Sequence, residues 1–197
     1  MVATRLPAGQ RRRQLLDVSC ELFAQAGFHA TSMEEIASRA GVTKPVLYQH
    51  FPSKRALFID LLEDLGQRLL HELTNATDIA PTGQQRLQDG FRAYYRFVAS
   101  NRAAFRVLFG ASAHNDAGFA NVVARNLDEI ADVVSRLIDT DGRAEHRRVL
   151  AHALIGIAEA TSRDALADDG SGPDPDVLAR WVSELVWPGL RRMTAGT

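Results

Sequence analysis

Five side chains that can donate hydrogen bonds lie close together in the stretch GVTKPVLYQHFPSKRALF, residues 41–58: Lys44, Tyr48, Gln49, His50 and Lys54. Lysine and glutamine can recognise base edges in a major groove, whereas tyrosine, histidine and lysine can hold phosphate oxygens. The stretch therefore predicts DNA binding, with base contacts from Lys44 and Gln49 and phosphate contacts from Tyr48, His50 and Lys54. A capped surface helix without a ligand is the alternative.

Neighbouring positions add further candidates for DNA contact. Val46 can touch a thymine methyl group, and Thr43 precedes the same helix as a candidate N-cap. Thr31 and Ser32 lie at the N-terminus of the preceding helix, where two hydroxyls and the positive end of the helix dipole suit a phosphate. These four residues join the predicted DNA-binding set.

Two short helices are predicted to position these side chains. Ser32 precedes apolar residues with helical spacing, and Glu35 follows it at the distance of a capping box. This helix ends at Gly41, and the next is predicted over Lys44–His50. Leu47 and Phe51 are four residues apart and are expected to pack inward, so the remaining side chains point outward. This arrangement is a helix-turn-helix.

The run FAQAGFHATSMEEIASRAGVTKPVLYQHFPSKRALF resembles the DNA-binding domain of the TetR family of one-component regulators, over about residues 10–58. The matching positions are Phe23, Gly27, Phe28, Thr31, Ile36, Ala37, Ala40, Gly41, Val42, Leu47, Tyr48, His50, Phe51, Ser53, Lys54 and Leu57. The resemblance implies a ligand-responsive transcriptional repressor that binds a palindromic double-stranded DNA operator as a homodimer. A small, lipophilic effector is expected to release it.

The resemblance also assigns roles within the predicted recognition helix. It implies phosphate contacts by Tyr48, His50 and Lys54, and base contacts at Lys44, Val46 and Gln49. The chain departs from the family at Pro45-Val46, where many members have Gly-Thr. Because a valine side chain cannot hydrogen-bond a base, the operator is expected to differ from those of such members.

Helical spacing of apolar residues continues through the rest of the chain, and no segment alternates as a strand would. The predicted fold is all-α with nine helices. Residues 1–58 are expected to form a three-helix DNA-binding domain. The resemblance implies that residues 59–197 form a ligand-binding and dimerisation domain.

Two sets of residues are candidates for the functions of this second domain. Apolar residues of the middle helices are predicted to line an effector pocket, although most apolar residues there must be core: Leu65, Leu69, Phe91, Tyr95, Phe105, Phe109, Phe119, Val123 and Leu127. Small and aromatic residues of the last two long helices are predicted at a dimer interface, with packing inside one subunit as the alternative: Ala153, Gly156, Ile157, Trp181 and Leu185.

The charge distribution fits this division. Residues 1–56 hold eight basic against four acidic residues, although the whole chain has a formal net charge of -1. A basic segment followed by an acidic one favours an anion-binding module attached to a body with another task. No stretch approaches the roughly 20 apolar residues of a membrane span, and no apolar signal segment follows the first basic residues. A cytoplasmic protein without membrane association is therefore expected.

Enzymatic functions lack their usual motifs. The six histidines show no H-E-x-x-H or other metal-ligand spacing, and no G-x-S-x-G is present. The single cysteine, Cys20, has no partner for a disulfide or a metal site. We therefore expect no catalytic residues, no metal and no cofactor. A helical enzyme or a small-molecule carrier is the rival class, which a DNA-binding assay would distinguish.

Overall fold

The computed structural model describes residues 6–138, 143–165 and 172–194. Every regular element in these ranges is a helix, and the helices are α1 Ala8–Ala30, α2 Met33–Arg39, α3 Lys44–His50, α4 Lys54–Asp78, α5 Gly83–Ser100, α6 Arg102–Phe109, α7 Ala111–Asn115, α8 Ala117–Leu137, α9 Ala144–Ala165 and α10 Pro175–Thr194. No helix in the described part of the chain is long and apolar enough to cross a membrane.

The predicted all-α fold is confirmed, and each of the nine predicted helices is present. The described residues add one five-residue segment, α7, which is too short to show a periodic pattern. Near the end of the described residues, α10 continues through Pro188.

Short-range signals fix most helix ends. Gly27 has a φ of +79°, so the regular helix stops there, and a short turn continues to Ala30. The Ser32 hydroxyl accepts a hydrogen bond from the Glu35 amide at 3.1 Å, which confirms the predicted N-cap of α2. Thr43 occupies the N-cap position of α3, but its side chain makes no capping hydrogen bond.

The described residues divide into two compact units. One comprises those of Met1–Leu65 together with Ala103–Val123, and the other those of Gly66–Arg102 together with Ala124–Thr197. The predicted functional boundary between residues 58 and 59 stays a prediction. The compact units differ from it because residues 103–123, which lie far along the chain, pack with the helix-turn-helix.

The first unit has an aromatic core. The Phe58 ring lies 4.9 Å from Phe23, 5.2 Å from Phe28 and 4.7 Å from Phe119, measured between centroids. Phe119 is 1% exposed and comes from the first turn of α8. Phe119 therefore lies in the core that supports the helix-turn-helix, and its predicted place in an effector pocket stays a prediction.

The second unit is built around α5. This helix packs against α10 and α9, and its buried face carries Phe91, Tyr94, Tyr95 and Val98. The Tyr95 hydroxyl and the Thr161 hydroxyl are 2.7 Å apart, which joins α5 to α9. Burial of these polar groups is tolerated because they satisfy one another.

Candidate nucleic-acid interface

A glycine sets the turn between α2 and α3. Gly41 has a φ of +66°, in the left-handed region that favours glycine. Its amide donates to the Ser38 carbonyl at 3.1 Å, and the Val42 amide donates to the Ala37 carbonyl at 2.9 Å. These two bonds form a Schellman motif, which closes α2 and directs the chain into α3.

The α3 helix has a buried side and an exposed side, as its sequence predicts. Leu47 and Phe51 are both 0% exposed and anchor the helix in the core of the first unit. Tyr48 is 46% exposed, Gln49 is also exposed, and Val46 and His50 are half-buried. This leaves a surface with a phenol, an amide and an imidazole, which can reach the edges of bases and phosphate oxygens.

Lys44, at the start of α3, is held by α2. Its Nζ lies 2.6 Å from Glu34 Oε2, and the two side chains are 49% and 75% exposed. An ion pair this exposed contributes about 0–1 kcal/mol to stability. Lys44 can therefore exchange Glu34 for a DNA acceptor at small cost, and its predicted role stays a prediction.

The two hydroxyls predicted at the start of α2 have different surroundings. Ser32 is exposed, and its hydroxyl caps the helix. Thr31 is 1% exposed, and its hydroxyl donates to the carbonyls of Gly27 at 2.8 Å and Leu22 at 3.3 Å. In this arrangement the Thr31 hydroxyl faces the core and stabilises the end of α1. A phosphate contact by Thr31 stays a prediction.

Lys54 is also engaged within the protein, and its predicted phosphate contact stays a prediction. Its Nζ donates to the carbonyl oxygens of Phe28, His29 and Thr31. An ammonium group has three N–H donors, so none is left for a phosphate in this arrangement. Sequence spacing could not reveal this contact, because it joins residues more than twenty positions apart.

The N-terminal arginines are engaged with α4. Arg12 pairs with Asp60 at 2.7 Å and lies over the Phe51 ring at 4.9 Å. Arg13 forms two hydrogen bonds of 2.7 Å with Asp64. These contacts fasten α1 to α4, so much of the positive charge in the first unit is balanced within that unit.

A further ion pair lies at the first turn of α4 and was missed by sequence analysis. Arg55 donates to both carboxylate oxygens of Asp116, at 2.8 and 2.7 Å, and stacks over the Phe119 ring at 4.6 Å. Asp116 also accepts from the amides of Gly118 and Phe119, which makes it the N-cap of α8. The Arg55 hydrogen bonds, together with these amides, hold the pKa of Asp116 well below its usual range.

The residues predicted for an effector pocket fall in both compact units. Leu65, Phe105, Phe109, Phe119 and Val123 belong to the first, and Leu69, Phe91, Tyr95 and Leu127 to the second. Within the second unit, Leu69, Phe91 and Tyr95 are buried and Leu127 is half-buried. A role in effector binding stays a prediction for them.

The residues predicted at a dimer interface are accessible in the single chain. Trp181 is 53% and Leu185 76% exposed, Ala153 and Gly156 are exposed, and Ile157 is half-buried. Val149 is 65% exposed and lies four residues before Ala153, which sequence analysis did not single out. Both α9 and α10 thus carry an exposed stripe of apolar or small residues.

Two sequence profiles of known protein families match this chain. The sequence profile described as bacterial regulatory proteins, tetR family, matches residues 15–61. The profile described as tetracyclin repressor-like, C-terminal domain, matches residues 84–189. Together they span the helix-turn-helix and most of the remaining helices.

Individual relatives extend over nearly the whole chain. The transcriptional activator FasR of Mycolicibacterium smegmatis is 34% identical over 188 residues, which are 94% of this chain and 85% of FasR. The transcriptional repressor KstR2 of Rhodococcus jostii is 27% identical over 184 residues, 92% of this chain and 78% of KstR2. The crystal structure of a TetR-like transcriptional regulator from Rhodococcus sp. RHA1 is 30% identical, with a TM-score of 0.78 and coverage of 98% of this chain and 100% of that one.

These relatives are regulators of transcription and not enzymes, which confirms the functional class predicted from the sequence. The helix-turn-helix, the two profile matches and the full-length relatives agree. The chain therefore belongs to the TetR family of bacterial regulatory proteins and is a DNA-binding transcriptional regulator.

Proposed function

We propose that this regulator binds a palindromic operator as a homodimer and is released from it by a small lipophilic effector. The observation that carries the proposal is the exposed face of α3, where Tyr48 and Gln49 are open to solvent while Leu47 anchors the helix from behind. A helix anchored in this way can enter a major groove without any change in the packing of the first unit's core. Since it acts on chromosomal DNA, we place the protein in the cytoplasm.

In the proposed complex, residues 1–58 recognise DNA. Lys44 and Gln49 contact bases, and Val46 packs against a thymine methyl group. Tyr48, His50, Ser32 and Thr43 are candidates for phosphate contacts that fix the register of the helix. The half-buried valine at position 46 supplies shape rather than a hydrogen bond, so its base pair should be recognised less strictly than those facing Lys44 and Gln49.

A gel shift with the DNA upstream of the protein's own gene tests this function. We expect a shift that weakens steeply as salt increases, because binding releases counterions from the phosphates. A fragment of the same length with the palindrome scrambled is the control. Absence of any shift at low salt, with every palindrome from that region, would refute the proposal and favour the rival class of helical carrier or enzyme.

Dimerisation is proposed because α9 and α10 expose apolar side chains that a second copy could cover. A two-fold dimer would place two α3 helices in successive major grooves, about 34 Å apart. We expect Leu185→Glu to yield monomers in sedimentation analysis. Ile79→Glu is a matched control, because Ile79 is also apolar and 86% exposed but lies outside the α9 and α10 stripes. A dimer that persists in the Leu185→Glu variant would show that the interface lies elsewhere.

The effector is proposed to bind among the apolar residues of the second unit. Phe91 and Tyr95 stack at 6.0 Å between centroids, and the Tyr95–Thr161 hydroxyl pair is a polar group in these surroundings. Such a lining suits an acyl or aromatic molecule with few polar groups. Mass spectrometry of ligand that co-purifies with the protein tests this. A bound, highly charged metabolite would contradict a lipophilic effector.

The direction of regulation is a separate part of the proposal. We favour repression, as for KstR2, whereas FasR is named an activator. Transcription in vitro from the bound promoter, with and without the protein, distinguishes the two. Fewer transcripts on addition of the protein would support repression. More transcripts would show that the protein is an activator, as FasR is named.

A further inference from the structure

The ammonium group of Lys54 lies against the end of α1. Its Nζ donates to the carbonyl oxygens of Phe28 at 2.7 Å, Thr31 at 2.8 Å and His29 at 3.2 Å. It also lies 4.6 Å from the centroid of the Phe28 ring, within the range of a cation–π contact. The three carbonyls use all the donors that an ammonium group has.

The end of α1 is a place where a cation is stabilising. Carbonyls at a helix C-terminus lack partners within the helix and carry a partial negative charge. Gly27 breaks the helical conformation just before this end, and the only basic residue in the last turn is His29. Lys54 supplies the missing charge from the first turn of α4.

The same contact joins two corners of the helix-turn-helix. Thr31 directly precedes Ser32, the N-cap of α2. The α3 helix ends at His50, and a short connection leads from it to Lys54, the first residue of α4. The ammonium group therefore connects the start of α2 to the segment that follows α3, and both flank the exposed face that carries Tyr48 and Gln49.

We propose that Lys54 is a positioning residue for DNA binding: it holds the start of α2 and the end of α3 in the arrangement that fits DNA, and it makes no phosphate contact. The proposal rests on the DNA-binding function proposed above. A phosphate contact would require the ammonium group to release at least one carbonyl at the end of α1.

Two variants separate the positioning role from a phosphate contact. In Lys54→Met we expect DNA affinity, measured by fluorescence anisotropy, to fall by about tenfold because fewer molecules hold the binding arrangement. The slope of log affinity against log salt should equal that of the wild type, since no phosphate contact is lost. Lys54→Arg should not restore the affinity, because a planar guanidinium cannot replace a compact ammonium among three converging carbonyls.

The opposite pattern would overturn the proposal. A lost phosphate contact would make the slope of Lys54→Met shallower by about 0.9, and Lys54→Arg would restore both slope and affinity because it keeps the charge. If Lys54→Met does not fold, Lys54→Gln provides the same comparison.

Hydrogen exchange of the free protein tests the contact without DNA. Loss of the cation should speed amide exchange in residues 28–36, at the end of α1 and the start of α2, while the amides of α10 serve as an internal control. Unchanged exchange in residues 28–36 would refute the positioning role whatever the DNA measurements show. Failure of the wild type to bind any DNA would instead contradict the proposed function and leave the exchange result to decide on Lys54.

Discussion

The exposed face of α3 and the first turn of α4 are close in sequence but differ in how their polar groups are used. Tyr48 and Gln49 on α3 are open to solvent. Lys54 and Arg55 on α4 donate to the end of α1 and to Asp116. A basic residue in a helix-turn-helix is thus not by itself a DNA contact. Whether its donors already have partners within the protein is the better criterion.

This difference predicts two classes of variant. Changes on α3 should alter DNA binding and leave stability nearly unchanged, since exposed substitutions usually shift it by less than about 0.5 kcal/mol. Changes at the first turn of α4 should lower stability, and should affect DNA binding only through the positions of α1, α2 and α8. Each experiment below measures both quantities.

The largest effect is expected for Lys44→Ala. Loss of a lysine that recognises a base should reduce discrimination at one operator position by about 1–3 kcal/mol, roughly 5- to 150-fold. Thermal unfolding should be nearly unchanged, because the Lys44–Glu34 pair is exposed. Binding to a set of single-base operator variants measures the discrimination. An equal loss of affinity for every variant would show that Lys44 contacts phosphate instead.

Tyr48→Phe should have the next largest effect. Removal of one phosphate contact should weaken binding by about 1 kcal/mol, or roughly fivefold, and to the same extent for every operator variant. The ring stays, so packing and thermal stability should not change. A change in base preference would contradict a phosphate role for Tyr48.

Asp116→Asn tests the α4 side of the comparison. The variant weakens the pairing with Arg55 and the N-cap of α8, so we expect a lower Tm with a smaller change in DNA affinity. Arg55→Gln should have a similar effect, and the double variant should lose less than the sum because the two groups act together. Strictly additive losses would show that Asp116 and Arg55 act independently.

The pH dependence of this loss has a definite sign. The pKa of Asp116 is lowered in the folded protein, so its stabilising effect is fully present above the ordinary aspartate pKa and is lost as pH falls through the folded value. The Tm difference between the wild type and Asp116→Asn should therefore be constant between about pH 5 and 8. It should shrink only in stronger acid. A difference that changes near neutral pH would point to another titrating group.

The sequence predicted the parts of this structure that depend on neighbouring residues. Gly41 takes a positive φ value at the helix end where the sequence placed it. The Ser32 cap and the burial of Leu47 also follow from spacing alone. Each of these features is decided within a few residues, where helical periodicity and capping chemistry apply.

The contacts of Lys54, Thr31 and Phe119 could not be predicted in the same way. Lys54 bonds to residues 23 to 26 positions away, and the Arg55–Asp116 pair spans 61 positions. Such contacts depend on how helices pack, about which local periodicity gives no information. Resemblance to a family did not supply that information either, since it implied a phosphate contact for Lys54 but not the carbonyl contacts that its ammonium group makes in the free protein.

The smallest effect, and the finest test of the comparison, is expected for Glu34→Gln. Glu34 Oε2 lies 2.6 Å from Lys44 Nζ in the free protein. In the proposed complex DNA displaces Glu34, whose carboxylate would then lie near phosphates. Removing the charge should strengthen binding by less than about fivefold, in line with the 0–1 kcal/mol of an exposed pair. Glu35→Gln, at an exposed glutamate on the same helix, is the matched control. If Glu34→Gln instead weakens binding, Glu34 orients Lys44 for DNA. Lys44 would then be held in place by a contact within the protein, as Lys54 and Arg55 of α4 are.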